Sequence, residues 1–199
     1  VDSPPSARPP EKARLLENVP WIKELDKETF NKITNLFQYR VFAVGEKITK
    51  EKDGVEGIYV IARGNVKIYR NNKLIDVLGK SKVFGEISPL CDAAGNTTAI
   101  AESPVSILRL TSVSLQQEIQ NNMSLEEKLW EIAGPKFAGQ IIANDNHYQH
   151  LSGREIKKWL GKGKVVQTKK VKNYICENQM GIVLKGKIIR DDNTELEAG

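Results

Sequence analysis

The sequence predicts a mainly β fold with flanking helices: an antiparallel β sandwich or jelly roll, followed by a small β-rich or winged tail. Two observations carry this. Between Tyr39 and Leu110 the chain runs in short alternating or apolar stretches broken by Gly, Asn and Asp. On either side of that region, apolar residues recur at three- and four-residue steps. Many short strands at this spacing close naturally into an antiparallel sandwich or jelly roll.

Taken in order, Val1 to Pro10 is rich in Pro and Ser and reads as a flexible linker. A short helix is expected from about Glu11 to Glu17. An amphipathic helix then carries Trp21, Ile22, Leu25, Phe30, Ile33 and Leu36, with Asp26 suited to cap its second part. Candidate strands are Val41/Val44, Glu46–Thr49, Gly57–Ala62, Asn65–Arg70, Leu74–Leu78, Thr98–Glu102 and Val105–Leu110. Asp53-Gly54 and Asn71-Asn72 are turn signals between them. Ser112 or Ser114 is expected to start a helix through Ile119. A longer one follows from Ser124, with Ser124 and Glu127 as a capping box. Gly134-Pro135 is expected to kink or break it, because proline removes an N–H and clashes one turn back. Leu151 to Leu160 starts like a short helix. Met180 to Arg190 reads as two strands around Gly186, weakly echoing Ile58 to Arg70. The resulting division is a linker at 1–10, a main domain at 11–146 and a basic, β-rich tail at 147–199.

Composition narrows the function classes. The 199-residue chain can hold one domain plus a smaller one, and its apolar fraction of 40% is ordinary for a globular protein. No stretch approaches the roughly 18 to 20 apolar residues of a membrane span. The chain starts at Val1 rather than Met and is expected to be a piece of a longer protein. Cys91 and Cys176 are too few for a disulfide framework and lack metal-ligand spacing, so reduced thiols are expected. His147 and His150 lie in a polar segment, read as a solvated loop ahead of a metal pair. From His147 to Arg190 bases dominate, among them Arg154, Lys157, Lys158, Lys169 and Lys170. Such a segment suits an anionic partner or a solvated face. No nucleophile–base pair, metal cluster or paired-carboxylate motif stands out, so no enzyme activity is expected.

The chemistry concentrates in Val83-Phe84-Gly85-Glu86-Ile87-Ser88-Pro89-Leu90 and in Thr97-Thr98-Ala99. A glycine lets backbone come close to a ligand, successive N–H groups after it can bind an anion, and Glu86 offers acceptors for a sugar hydroxyl. Such a run suits a phosphate and a ribose. Gly85 and Glu86 equally suit the loop's own turn, and Thr97 and Thr98 suit ordinary strand residues. From Cys91 to Thr98 there is no Lys or Arg, so nothing in that loop pairs with a phosphate charge. Tyr59, Tyr69, Trp130 and Trp159 read as packing residues before base-stacking ones.

With Val44-Gly45-Glu46-Lys47-Ile48 and Gly57-Ile58-Tyr59-Val60-Ile61-Ala62-Arg63-Gly64 upstream, the Phe84-Gly85-Glu86 run resembles a cyclic nucleotide-binding domain. The likeness covers about Glu11 to Ala143. It implies that Glu86 accepts the ribose 2′-hydroxyl, with Phe84 opening the cassette and Gly85, Ile87 and Ser88 giving backbone donors. It also implies that Ile68 and Leu78 wall the purine, and that Thr97, followed by Thr98, is the small hydroxyl residue. The family's phosphate-pairing arginine falls on Asn96, which has no charge and no guanidinium fork. Asp92 adds a like charge and Pro89 lacks an N–H. The ligand implied is cAMP or cGMP, with binding expected to be weak or absent unless Lys80, Lys82, Lys136 or another base supplies the charge. No cofactor is expected.

The resemblance implies a regulatory module. A single cassette, Asn96 and a β-rich tail make it most similar to the cytosolic C-terminal region of a sperm-type sodium/proton exchanger. The expected setting is the cytoplasmic face of a plasma-membrane or flagellar protein, as a homodimer and without nucleic acid. The alternative is a transcription regulator with a C-terminal winged helix-turn-helix, whose recognition helix would lie near Val165 to Ile175.

Overall fold

The computed structural model describes residues 9–53, 57–91, 97–161, 163, 182–184, 187–189 and 195–197. The chain divides into two compact units, Val1–Glu126 and Glu127–Gly199.

The first unit opens with three helices, α1 (Pro9–Leu16), α2 (Pro20–Lys23) and α3 (Lys27–Leu36). Helix α1 starts at Pro9 within the stretch read as linker, since proline is well accepted in a first helical turn. The single helix expected over Trp21–Leu36 is two, because Asp26 stops one and caps the next. Its backbone is extended, and its carboxylate accepts the N–H groups of Glu28 and Thr29, each at 3.0 Å. Leu16, Val19, Trp21, Ile22, Ile33 and Phe37 are buried from these helices and their joints.

Two four-stranded antiparallel sheets follow. The first joins β1 (Gln38–Phe42), β3 (Gly57–Arg63), β6 (Val83–Phe84) and β8 (Val105–Thr111) in the order β1-β8-β3-β6. The second joins β2 (Lys47–Thr49), β4 (Val66–Arg70), β5 (Lys73–Leu78) and β7 (Thr98–Ala101) in the order β2-β7-β4-β5. Every expected strand is present within a residue or two, except that Val44 falls in the turn after β1. The core lies between the sheets: Tyr59, Ile61, Phe84, Val105 and Ile107 from the first meet Ile48, Val66, Ile68, Ala99 and Ala101 from the second. Asn71 and Asn72 take positive φ of 48° and 61° and turn β4 into β5, as their type predicts. Gly54 of the other turn signal lies outside the described residues. The short β6 was not foreseen; it pairs Phe84 with Tyr59 and Val83 with Val60. It leads into α4 (Ile87–Cys91).

Helix α5 (Ser112–Asn121) is capped by Thr111, whose hydroxyl accepts the Ser114 N–H at 3.3 Å. Helix α6 (Met123–Asn144) contains the boundary between the units. Asn122 caps it, accepting the Leu125 N–H on its side-chain oxygen at 3.2 Å, so the expected Ser124–Glu127 box is corrected. Helix α6 also runs unbroken through Pro135, because one missing N–H among 22 residues removes one bond and leaves the others.

In the second unit, α7 (Gly153–Leu160) begins as expected, with Ser152 and Glu155 forming a reciprocal capping box. Strands β9 (Lys187–Ile189) and β10 (Glu195–Glu197) pair antiparallel, Ile188 facing Leu196. The hairpin expected around Gly186 is thereby corrected: Ile182–Leu184 is in no strand, and β9 finds its partner downstream. The segment near Val165 to Ile175 lies outside the described residues.

The Asp26 cap carries a pH signature. Hydrogen bonds from the Thr29 side chain and backbone hold its carboxyl below the ordinary value of 3.8. Its stabilising share is therefore full above that value and is lost as pH falls through the lowered folded value. Denaturant titrations over about pH 6 to 2 are expected to show a shallower acid loss in Asp26→Asn, which keeps the cap without the charge; equal slopes would refute this.

Candidate functional site

The cassette is built on a contact between two strands. Phe84 ends β6 and stacks on Tyr59 of β3, with ring centroids 4.9 Å apart and planes 10° from parallel. Gly85 follows at φ +81°, where a Cβ would sit 2.6 Å from the Gly57 carbonyl oxygen and 2.9 Å from Cδ2 of Tyr59. The neighbour that excludes a side chain at Gly85 is β3 itself. Of the two readings of this glycine, the fold's own close packing accounts for its identity. Gly57 is equally confined: its Cβ would lie 2.1 Å from the Leu110 carbonyl oxygen of β8.

Glu86 comes next and is only 5% exposed, a carboxylate set inside the domain. Ile87 and Ser88 then form the first turn of α4, where N–H groups have no acceptor within the helix. Pro89 shares that turn without costing a helical bond, and it removes one donor an anion would use. Its carbonyl accepts from the Gln116 side-chain amide of α5, while Leu90 is buried; both hold α4 in place.

Across the sandwich, Ile68 is 6% exposed and belongs to the same cluster as Phe84, with Leu78 packed against it. The structure thus brings together Ile68, Leu78 and Phe84. Thr98 opens β7, next to β4 through the Tyr69–Thr98 pair, and Thr97 immediately precedes it. The Thr98 hydroxyl accepts the Glu51 N–H at 3.0 Å, and the Thr97 carbonyl accepts from the Thr49 hydroxyl at 3.4 Å. Asn96 and Asp92 lie outside the described residues.

Among the bases named from the sequence, Lys80 and Lys82 flank Ser81, whose turn bonds to the backbone of Ile61. Lys82 meets Ile61, two residues along β3 from the Tyr59 ring that Gly85 touches, and lies three residues before Gly85, roughly 10 Å at about 3.3 Å per residue. Lys136 belongs to the second unit. Sequence reasoning passed over Arg70. On β4, Val66 and Ile68 point into the core, and Arg70 takes the next inward position. Its Nε is buried without a hydrogen-bond partner among the described residues. The alternation Val66-x-Ile68-x-Arg70 was the available signal.

The aromatic residues divide as packing elements. Tyr59 and Trp130 are buried, and Trp159, 44% exposed, has its ring 5.9 Å from that of Tyr148. His147 is exposed and its Nδ1 lies 2.9 Å from a carboxylate oxygen of Asp145. Among the described residues no group of His, Cys, Asp and Glu is placed to hold a metal, and no helix is long and apolar enough to cross a membrane.

Gly85→Ala tests the cassette's anchorage. The strained φ together with contact against backbone predicts a loss of about 2 kcal/mol or more in urea unfolding. A loss under about 0.5 kcal/mol would mean that the Phe84–Gly85 approach to β3 is not a fixed constraint.

Comparison with known proteins agrees with this geometry. Residues 39–122 match the family described as Cyclic nucleotide-binding domain. The chain is 26% identical over 124 residues to the cAMP-dependent protein kinase type II regulatory subunit of Drosophila melanogaster, covering 61% of this chain and 33% of that protein. It is 26% identical over 203 residues to a cGMP-dependent protein kinase of Plasmodium berghei, covering 91% of this chain and 23% of that protein. The chain therefore spans a third or less of the length of these two relatives. In structure it is similar to the regulatory subunit of a cAMP-independent protein kinase A from Trypanosoma brucei, with a TM-score of 0.54 at 18% identity, covering 72% of this chain and 50% of that one. Two facing antiparallel sheets, a glycine-pinned cassette and the family match over residues 39–122 make this part of the chain a cyclic nucleotide-binding domain.

Proposed function

We propose that this chain is a regulatory module that senses a 3′,5′-cyclic nucleotide with low affinity and carries out no catalysis of its own. One observation carries the reading: the cassette frame is intact, with Gly85 fixed on β3 and Glu86 buried, yet the loop from Cys91 to Thr98 holds no Lys or Arg. The sugar anchor is kept and the loop cation is missing. A charge-assisted bond contributes about 1.5 to 3 kcal/mol, which corresponds to about ten- to a hundredfold in affinity or more. Occupancy would act on the parent protein through differential affinity for two arrangements of the module.

The parent we infer is a membrane sodium/proton exchanger or related ion transport protein. The module would lie on its cytoplasmic face and pair with a second copy. The support is in the sequence: Asn96 at the arginine position and the basic tail after His147. The relatives described above are a kinase and kinase regulatory subunits. The coding sequence upstream of Val1 tests this. Several hydrophobic spans are expected there; a second cassette or a kinase catalytic domain would overturn it.

Titration calorimetry with cAMP and cGMP tests the module itself. Dissociation constants in the micromolar range or weaker are expected, and a sub-micromolar value would overturn the reading. Asn96→Arg is expected to tighten binding by about ten- to a hundredfold.

A further inference from the structure

We propose that Arg70, on β4, supplies the cation for the cyclic phosphate in place of an arginine in the loop before Thr97. The inference rests on the reading of this site as a nucleotide site and names the residue that carries its remaining anion affinity.

Three observations place it. First, Arg70 faces inward. Val66, Ile68 and Arg70 alternate along β4, and Val66 and Ile68 are buried in the core between the sheets. The register shift beside Ile68 falls on β5, where one extra residue intervenes between the partners of Ile68 and Tyr69, so the alternation of β4 itself is unbroken. Second, Arg70 stands beside the cassette's hydroxyl residue. Val66 pairs with Ala101, Ile68 with Ala99 and Tyr69 with Thr98, so the next inward position facing Arg70 is Thr97. Directly opposed residues hold their Cβ atoms about 5 Å apart. Third, its guanidinium has unused capacity. The Nε is buried with no hydrogen-bond partner, and no ion pair within 4.0 Å ties Arg70 to a carboxylate among the described residues. The neighbouring Glu51 carboxylate accepts the Asn71 N–H at 2.9 Å.

A buried donor without an acceptor is costly, and a bound anion relieves that cost. A guanidinium fork pairs a phosphate with two parallel hydrogen bonds, which an ammonium cannot reproduce. The sequence places no base in the loop from Cys91 to Thr98, and the structure places this one on the adjoining strand.

The test is calorimetry of the whole chain with cAMP and cGMP, and with adenosine and guanosine as uncharged probes. Arg70→Gln is expected to weaken cyclic nucleotide binding tenfold or more and to leave nucleoside binding unchanged. Arg70→Lys should fall between the two. Lys67→Gln, which removes the same charge from the neighbouring position where Lys67 pairs with Glu102 at 3.1 Å, should change neither. Melting curves check folding, and Arg70→Met, which keeps the apolar stem, replaces any variant that fails to fold. If wild type binds and the Gln and Met variants bind equally well, Arg70 is not the partner and the nucleotide reading stands. Equal losses for nucleoside and nucleotide would show a structural role and also overturn the proposal. If wild type binds no nucleotide up to millimolar concentration, both readings fall.

Discussion

The arrangement depends on the contact between β3 and the Phe84–Gly85 step. Two glycines let three strands approach at distances that no side chain would permit: Gly57 against the Leu110 carbonyl of β8, and Gly85 against the Gly57 carbonyl and the Tyr59 ring. Tyr59 is held on both sides of this contact. Phe84 stacks on its ring, and the Arg109 guanidinium carbon lies 5.9 Å from the ring centroid. Because strand pairing, ring stacking and steric exclusion all fix the same few atoms, the start of the cassette has little freedom. Glu86 and α4 follow from a point set by the core.

That core is apolar, and charged groups reach it from two sides. Glu86 enters from the loop after β6 in one sheet, and Arg70 sits at the end of β4 in the other. A charged group withdrawn from water is stabilised by partners or by a ligand, and at Arg70 the unpartnered Nε leaves room for the anion proposed above. The rest of the inward surface of the second sheet is aliphatic, from Ile48, Val66, Ile68, Ala99 and Ala101. An apolar wall with a few polar groups at its edge is the usual make-up of a small-molecule site.

Much of the first unit was legible in the sequence because its signals are local. Alternating or apolar runs of five to seven residues marked β3, β4, β5 and β8. Asn71-Asn72 marked a hairpin, and Asp26 marked a helix start, through side-chain chemistry acting within three residues. The misses have equally physical causes. Two residues are too few to show a period, so β6 gave no signal. Asn122 and Ser124 both suit a cap, and only the observed hydrogen bond separates them. A proline weighs against a helix by one bond and one clash, and α6 continues past Pro135. In the tail, the apolar run on either side of Gly186 read as two strands echoing Ile58 to Arg70, but β9 pairs with a strand that carried no such pattern.

By itself, the sequence determined the strand and helix types, the turn and cap residues, the cassette and the absence of a base from its loop. These follow from side-chain chemistry and spacing along one segment. The tertiary structure decided which atoms exclude a Cβ at Gly85, that the Lys80–Lys82 turn is tied to Ile61, and that Arg70 comes level with Thr97. Each of these depends on register between strands far apart in the chain, and register is fixed only when both faces of the sandwich pack at once.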